Sequence, residues 1–187
     1  MNSDLPTNLA ELQGAHRRGA KLHYLFFWGH TPKAGNSPVG KECLSQWYPA
    51  PFKAEGHTFP TAEHYMMYQK SVLFGDSETA AKILGAPSPA AAKDLGRSAR
   101  GFDQAVWESQ RLPIVAAGNE AKFSQHPELL SFLLSTNNKV LVEASPRDRV
   151  WGIGMSETHE HAQNPLEWRG LNLLGFALMI ARQRLAK

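Results

Sequence analysis

The segment "TFPTAEHYMMYQK", residues 58–70, reads as a helix that starts near Thr61 and places an acid and a base among apolar side chains. A helix turns by about 100° per residue, so Glu63, Met66, Met67, Lys70 and Phe74 share one sector. Tyr65, Tyr68 and Val72 form a second apolar face. A helix apolar on both sides is expected to be buried, and ionised groups are costly to bury unless paired or hydrogen-bonded. Glu63 and Lys70 stand about 10.5 Å apart along the axis, beyond the three- or four-residue spacing of a helical ion pair. They are either two structural charges with separate partners, Lys70 reaching outward along its stem, or two grips on one ligand.

Outward from this helix, other elements can be placed. Residues 4–19 hold a short helix, "KLHYLFF" a strand, and "YPAPFKAEGHTF" a hairpin turning near Glu55-Gly56. "TPKAGNSPVG", residues 31–40, is a loop rich in turn formers. After the opening helix, which stops near Gly75, a second follows Ser77 and a third has Ser88 as its cap and Pro89 in its first turn. Asp103 caps a long helix with a kink expected at Pro113. "HPELLSFLLST" repeats the Pro-first pattern, "KVLVEA" is a short strand, and a last helix covers about 171–186. The fold class is α+β, a helix-rich single domain with a few short strands.

Composition narrows the function. The 187 residues are 42% hydrophobic and 20% charged, enough for one domain with a sizeable core. A net charge of +3 without a dense Lys/Arg run suits a phosphorylated small molecule better than an extended nucleic-acid groove. Cys43 is the only cysteine, so no internal disulfide forms, and it has no local His to activate it. The first residues, "MNSDLPTNLAELQG", lack a basic, apolar leader, and the most apolar tract, "LNLLGFALMIA", is too short for a bilayer. A cytoplasmic protein with no membrane partner is expected.

Three features carry chemistry: the pair Glu63 and Lys70, the loop "VEASPRDRVWGIG" (142–154), and the aromatics of "YLFFWGH" and "LSQWYPAPF". In the loop, a strand runs into Glu143, Asp148 sits in a basic flank, and Trp151 precedes Gly152 and Gly154, whose N–H groups are open to an anion or sugar. Phe26, Phe27, Trp28, Trp47 and Tyr48 lie in non-helical stretches, where they either pack the core or stack on a heterocyclic base. "HEH" (159–161) has no further ligands at fixed spacing, so no metal site is expected. No P-loop, Rossmann fingerprint or nucleophile elbow is present.

The motifs "LSQWYPAPFKAEGHTFPTAEHYMMYQK", "AAAKDLGR", "AKFSQHPELLSFLLST", "LVEASPRDRVWGIG" and "WRGLNLLGFALMIAR" occur in an order that resembles the YbiA-like proteins of the NADAR superfamily. The resemblance covers about Tyr24 to Leu185, leaving 1–20 as an N-terminal extension before a domain at 21–187. It implies a mostly helical fold and an N-glycosidase. The implied substrate is a phosphoribosylated pyrimidine intermediate of early riboflavin synthesis, or alternatively ADP-ribose on guanine bases of nucleic acid; a non-catalytic ADP-ribose- or nucleotide-binding module is a third reading, which Glu63 and Lys70 oppose. On the matching positions it implies Glu63, Lys70 and Asp148 as catalytic. It implies Trp28, Gly29, Trp47, Arg97, Trp151, Gly152 and Asn172 as substrate-binding, with Arg97 a phosphate or structural contact. Gln46 and His64 depart from some branches of the family.

Breaking an N-glycosidic bond builds oxocarbenium-like charge at the anomeric carbon, which a carboxylate stabilises while activating water. Glu63 is expected in that role, as electrostatic partner or general base. Lys70 is expected either as a nucleophile, its amine attacking to give a Schiff base, or as a phosphate or ribose contact. Burial lowers a lysine pKa and a nearby carboxylate raises it, so sequence leaves this open. Asp148 is expected to position a ribose hydroxyl or water, with no metal or redox cofactor. Oligomeric state is not legible.

Overall fold

The computed structural model describes residues 5–32 and 38–187. Part of the expected 31–40 loop, residues 33–37, lies outside them. Among the described residues seven α-helices and four short strands follow one another: α1 (Leu9–Arg17), β1 (Tyr24–Phe27), β2 (Phe52–Ala54), β3 (His57–Phe59), α2 (Ala62–Leu73), α3 (Ser77–Leu84), α4 (Pro89–Arg97), α5 (Gln104–Ser124), α6 (Pro127–Ser135), β4 (Val140–Glu143) and α7 (Leu173–Leu185). A single 3₁₀ turn, Lys41–Leu44, precedes β2. The expected α+β, helix-rich architecture is what forms.

Local chemistry explains most element ends. Glu55 and Gly56 both adopt positive φ, 50° and 76°, the conformation of a tight hairpin turn between β2 and β3. The side chains of Thr61, Ser88 and Asp103 each accept a backbone N–H of the helix that follows. Asp76, rather than Ser77, caps α3. Helix α2 ends in a paired 5→2 and 6→1 closure, Gly75 N to Val72 O at 3.0 Å and Asp76 N to Ser71 O at 2.9 Å, which requires the positive φ of Gly75. Pro113, where a kink is expected, lies inside α5, which is one helix of 21 residues; the buried Val115, Ala116 and Phe123 that follow it hold the second half in the core.

The core gathers α2, α5, α7 and β4. Helix α2 packs against α3, α4 and α5, and Ala62 to Met67 are all buried. The second face expected for this helix holds at Tyr65 but fails at Val72, which is 47% exposed while Ser71 beside it is fully buried, so the last turn faces the core on one side only. The long-range element is a parallel pair: β1 lies along β4 from Tyr24 opposite Val140 to Phe27 opposite Glu143. Both strands therefore end at the same level. In open α/β arrangements, ligands bind outside the carboxyl ends of parallel strands, and here that edge opens onto a cavity.

Candidate active site

The cavity measures about 850 Å³ and is walled by α2, α4, α5 and the chain leaving β1 and β4. It brings together Glu63, Lys70, Asp148, Trp28, Gly29, Trp47, Arg97 and Trp151. It also contains Lys93, Trp107 and Arg111, which the sequence reading did not single out, and Glu143, which it placed in the chemistry-bearing loop without a role. A local signal existed for some of these, because Lys93 precedes Arg97, and Trp107 precedes Arg111, by one helical turn.

Glu63 is 2% exposed, and its Oε1 is sealed without a hydrogen-bond partner. Its backbone N–H donates to the Gln46 carbonyl at 3.0 Å, which ties α2 to the segment carrying Trp47. Burial pushes the Glu63 carboxyl up to about 7; Lys93, the Trp47 indole and Arg97 oppose the rise and Asp148 adds to it. Helix α5 anchors the same segment from behind. Lys122 Nζ, fully buried, donates to the carbonyls of Cys43 (2.6 Å) and Ser45 (3.0 Å), and Asn119 Nδ2 donates to Gln46 Oε1 (2.9 Å). Cys43 is buried, which pushes its thiol up to about 12 and suits the inert role expected for it.

Lys70 behaves differently from a snorkelling surface lysine. Its Nζ lies 4.4 Å from the ring centroid of Phe102 and 5.6 Å from that of Trp107, and it forms no ion pair among the described residues. Burial, reinforced by Arg97, lowers its pKa. The cavity thus has two ends. Glu63, Glu143 and Asp148 meet Lys93 at one; Lys70 lies over Phe102 and Trp107 at the other, Arg97 bears on both Glu63 and Lys70, and Arg111, Arg147 and Arg149 complete the lining.

The charge balance is local as well. The lining holds six Lys or Arg and three Asp or Glu. That excess of three among the described residues equals the net +3 of the whole chain, which has 20 Lys or Arg and 17 Asp or Glu.

Gly29 has φ 88°, so glycine is required where β1 turns into the cavity wall. Trp28 beside it is 63% exposed at the rim. Trp47 lies 5.5 Å from the His30 ring and 5.9 Å from Lys93 Nζ. Asp148 serves the loop as well as the cavity: its Oδ1 accepts the N–H groups of Val150 and Trp151, both at 2.8 Å, which fixes Trp151 in the wall.

Two expected contacts are corrected. Gly152 does not line the cavity: a Cβ there would come 2.8 Å from the Glu143 carbonyl, so the glycine permits close backbone packing. Asn172 is fully buried outside the lining, and its amide is used on the outer edge of β4. Its Oδ1 accepts Glu143 N–H at 3.0 Å and its Nδ2 donates to the Leu141 carbonyl at 2.9 Å. Asn172→Ala would leave two buried backbone groups unpaired, so a loss of about 2–4 kcal/mol is expected in denaturant unfolding. Unchanged stability with lost substrate binding would restore the contact role.

The family model described as the NADAR domain matches residues 26–186. An N-glycosidase of Acanthamoeba polyphaga mimivirus is 42% identical over 167 residues, 86% of this chain and 95% of that protein. The NMR structure of Escherichia coli YbiA superposes with a TM-score of 0.68 at 29% identity, covering 97% of this chain and 94% of that one. A chloroplastic riboflavin biosynthesis protein of Zea mays is 37% identical over 135 residues, 68% of this chain but 20% of that larger protein. The chain belongs to the NADAR family, among its YbiA-like N-glycosidases.

Proposed function

We propose that the cavity hydrolyses the N-glycosidic bond of a phosphoribosylated pyrimidine of early riboflavin synthesis. The observation that carries this reading is the division of one cavity into a carboxyl end around Glu63 and a cationic end around Lys70. The anomeric carbon lies at the first, where Glu63 stabilises oxocarbenium charge and takes a proton from the attacking water. The phosphate lies at the second, in contact with Lys70, Arg97 and Arg111. Trp47 and Trp151 flank the base and sugar, and Asp148 orients a ribose hydroxyl or the water. The riboflavin assignment is supported by the name of the maize relative.

A second reading, removal of ADP-ribose from guanine bases, is favoured by the rim: Trp28 and Phe102, 63% and 43% exposed, offer rings on which a further base stacks. The test incubates the protein in parallel with riboflavin-pathway intermediates, NAD, ADP-ribose and ADP-ribosylated DNA, and follows released base by mass spectrometry. Release from the pathway intermediates is expected; release from the DNA alone overturns the first reading. Because the lining carries an excess of cations while the chain as a whole is only +3, binding to long DNA is expected to depend weakly on salt. A slope implying about six or more phosphates released would indicate a polymer groove instead.

A further inference from the structure

Glu143 ends strand β4 directly opposite Phe27, at the point where the parallel pair opens onto the cavity. Its backbone is held on both sides, the N–H by Asn172 Oδ1 and the carbonyl by the N–H of Ile153, each at 3.0 Å. The side chain is therefore aimed from a rigid base. Its Oε2 is sealed and has no partner, as is Glu63 Oε1. These are the two carboxyl oxygens among the described residues that are buried without a hydrogen bond, and both belong to the cavity lining. A buried ionised oxygen without a partner costs more than a neutral one, so a protonated carboxyl awaiting a ligand is the cheaper state.

The surrounding charge leads to the same conclusion. The groups that bear on Glu143 are Glu63 from α2, Asp148 from its own loop and Lys93 from α4. Glu143 and Glu63 raise each other's proton affinity across the cavity, Lys93 opposing the rise at both and Arg97 at Glu63. Burial, then the charges of Asp148 and Glu63, pushes Glu143 up to about 8, above the value of about 7 for Glu63.

We infer that Glu143 is a catalytic residue of this site, the general acid whose carboxyl protonates the departing base while Glu63 acts as the base toward water. This rests on the N-glycosidase reading above. When the C1′–N bond breaks, its electron pair goes to nitrogen and the Glu143 proton joins it, releasing a neutral amine. The water oxygen bonds to C1′ and its proton passes to the Glu63 carboxylate. Return of that proton to Glu143 through solvent restores the starting state, and the net change is addition of one water.

The test uses the full chain and two substrates: a phosphoribosylamino-pyrimidine, whose amine needs a proton to leave, and a p-nitrophenyl riboside 5-phosphate, whose phenolate does not. Glu143→Gln matches the protonated acid in shape and is expected to keep the wild-type melting temperature. It is expected to lower kcat by about 10²–10⁴-fold on the first substrate and by less than about tenfold on the second. Glu63→Gln is expected to lose activity on both. Equal losses for Glu143→Gln on the two substrates, or none on the first, overturn the proposal. Infrared spectra of the wild type at pH 7 supply a readout without turnover: a protonated-carboxyl band is expected that vanishes in Glu143→Gln, and its absence from the wild type also overturns the proposal. If the wild type turns over neither substrate, the substrate reading fails and the proposal stands or falls on that band.

Discussion

Glu63→Gln is expected to lower kcat by at least about a hundredfold, a loss of roughly 3 kcal/mol of transition-state stabilisation. The substitution keeps the volume and removes the charge. The carboxylate answers positive charge that develops only as the bond to the anomeric carbon breaks, so KM is expected to change little. Loss of fold does not explain the result. The folded pKa of Glu63, about 7, lies above the ordinary 4.5, so burial of this group favours the protonated form. Its contribution to stability is complete below pH 4.5 and is lost as pH rises through 7. A glutamine carries no such loss, and the variant is expected to be at least as stable as the wild type at pH 8. Near wild-type kcat in Glu63→Gln would reduce Glu63 to a buried structural acid.

Lys70→Ala is expected to lower kcat/KM by about 10–100-fold, mostly through KM, because a charged contact to phosphate is worth about 1.5–3 kcal/mol. The lysine shares the cavity with Arg97 and Arg111, and its ammonium is held over Phe102 rather than beside Glu63. Lys70→Arg keeps the charge and is expected to recover much of the loss. Borohydride added during turnover is expected to leave no substrate on the protein. An adduct trapped on the wild type and absent from Lys70→Ala would make Lys70 the nucleophile and remove Glu63 from the role of base toward water.

The opening segment shows how unevenly the molecule is written in its sequence. The two apolar faces of α2 are local facts of spacing, and they correctly imply burial at Tyr65, Met66 and Met67. They mislead at Val72, because which side of a helical turn meets a neighbour is set by tertiary packing. Asn172 sits in a diagnostic motif and invites a ligand contact. Its side chain instead completes the edge of a strand about 30 residues away in the chain, a use visible only when β4 and α7 are in place.

The sequence by itself determined what short-range forces decide. The hairpin turn at Glu55-Gly56, the caps at Thr61, Ser88 and Asp103, and the shared sector of Glu63 and Lys70 depend on residues within a few positions of each other. Only the tertiary structure decided that β1 runs parallel to β4, that Glu143 and Lys93 enter the same cavity as Glu63, and that Lys70 lies over Phe102 rather than beside the carboxyl groups. The reason is physical: a pKa and an electrostatic field are sums over every charge and every apolar wall nearby. In this cavity those groups come from three helices and the ends of two strands.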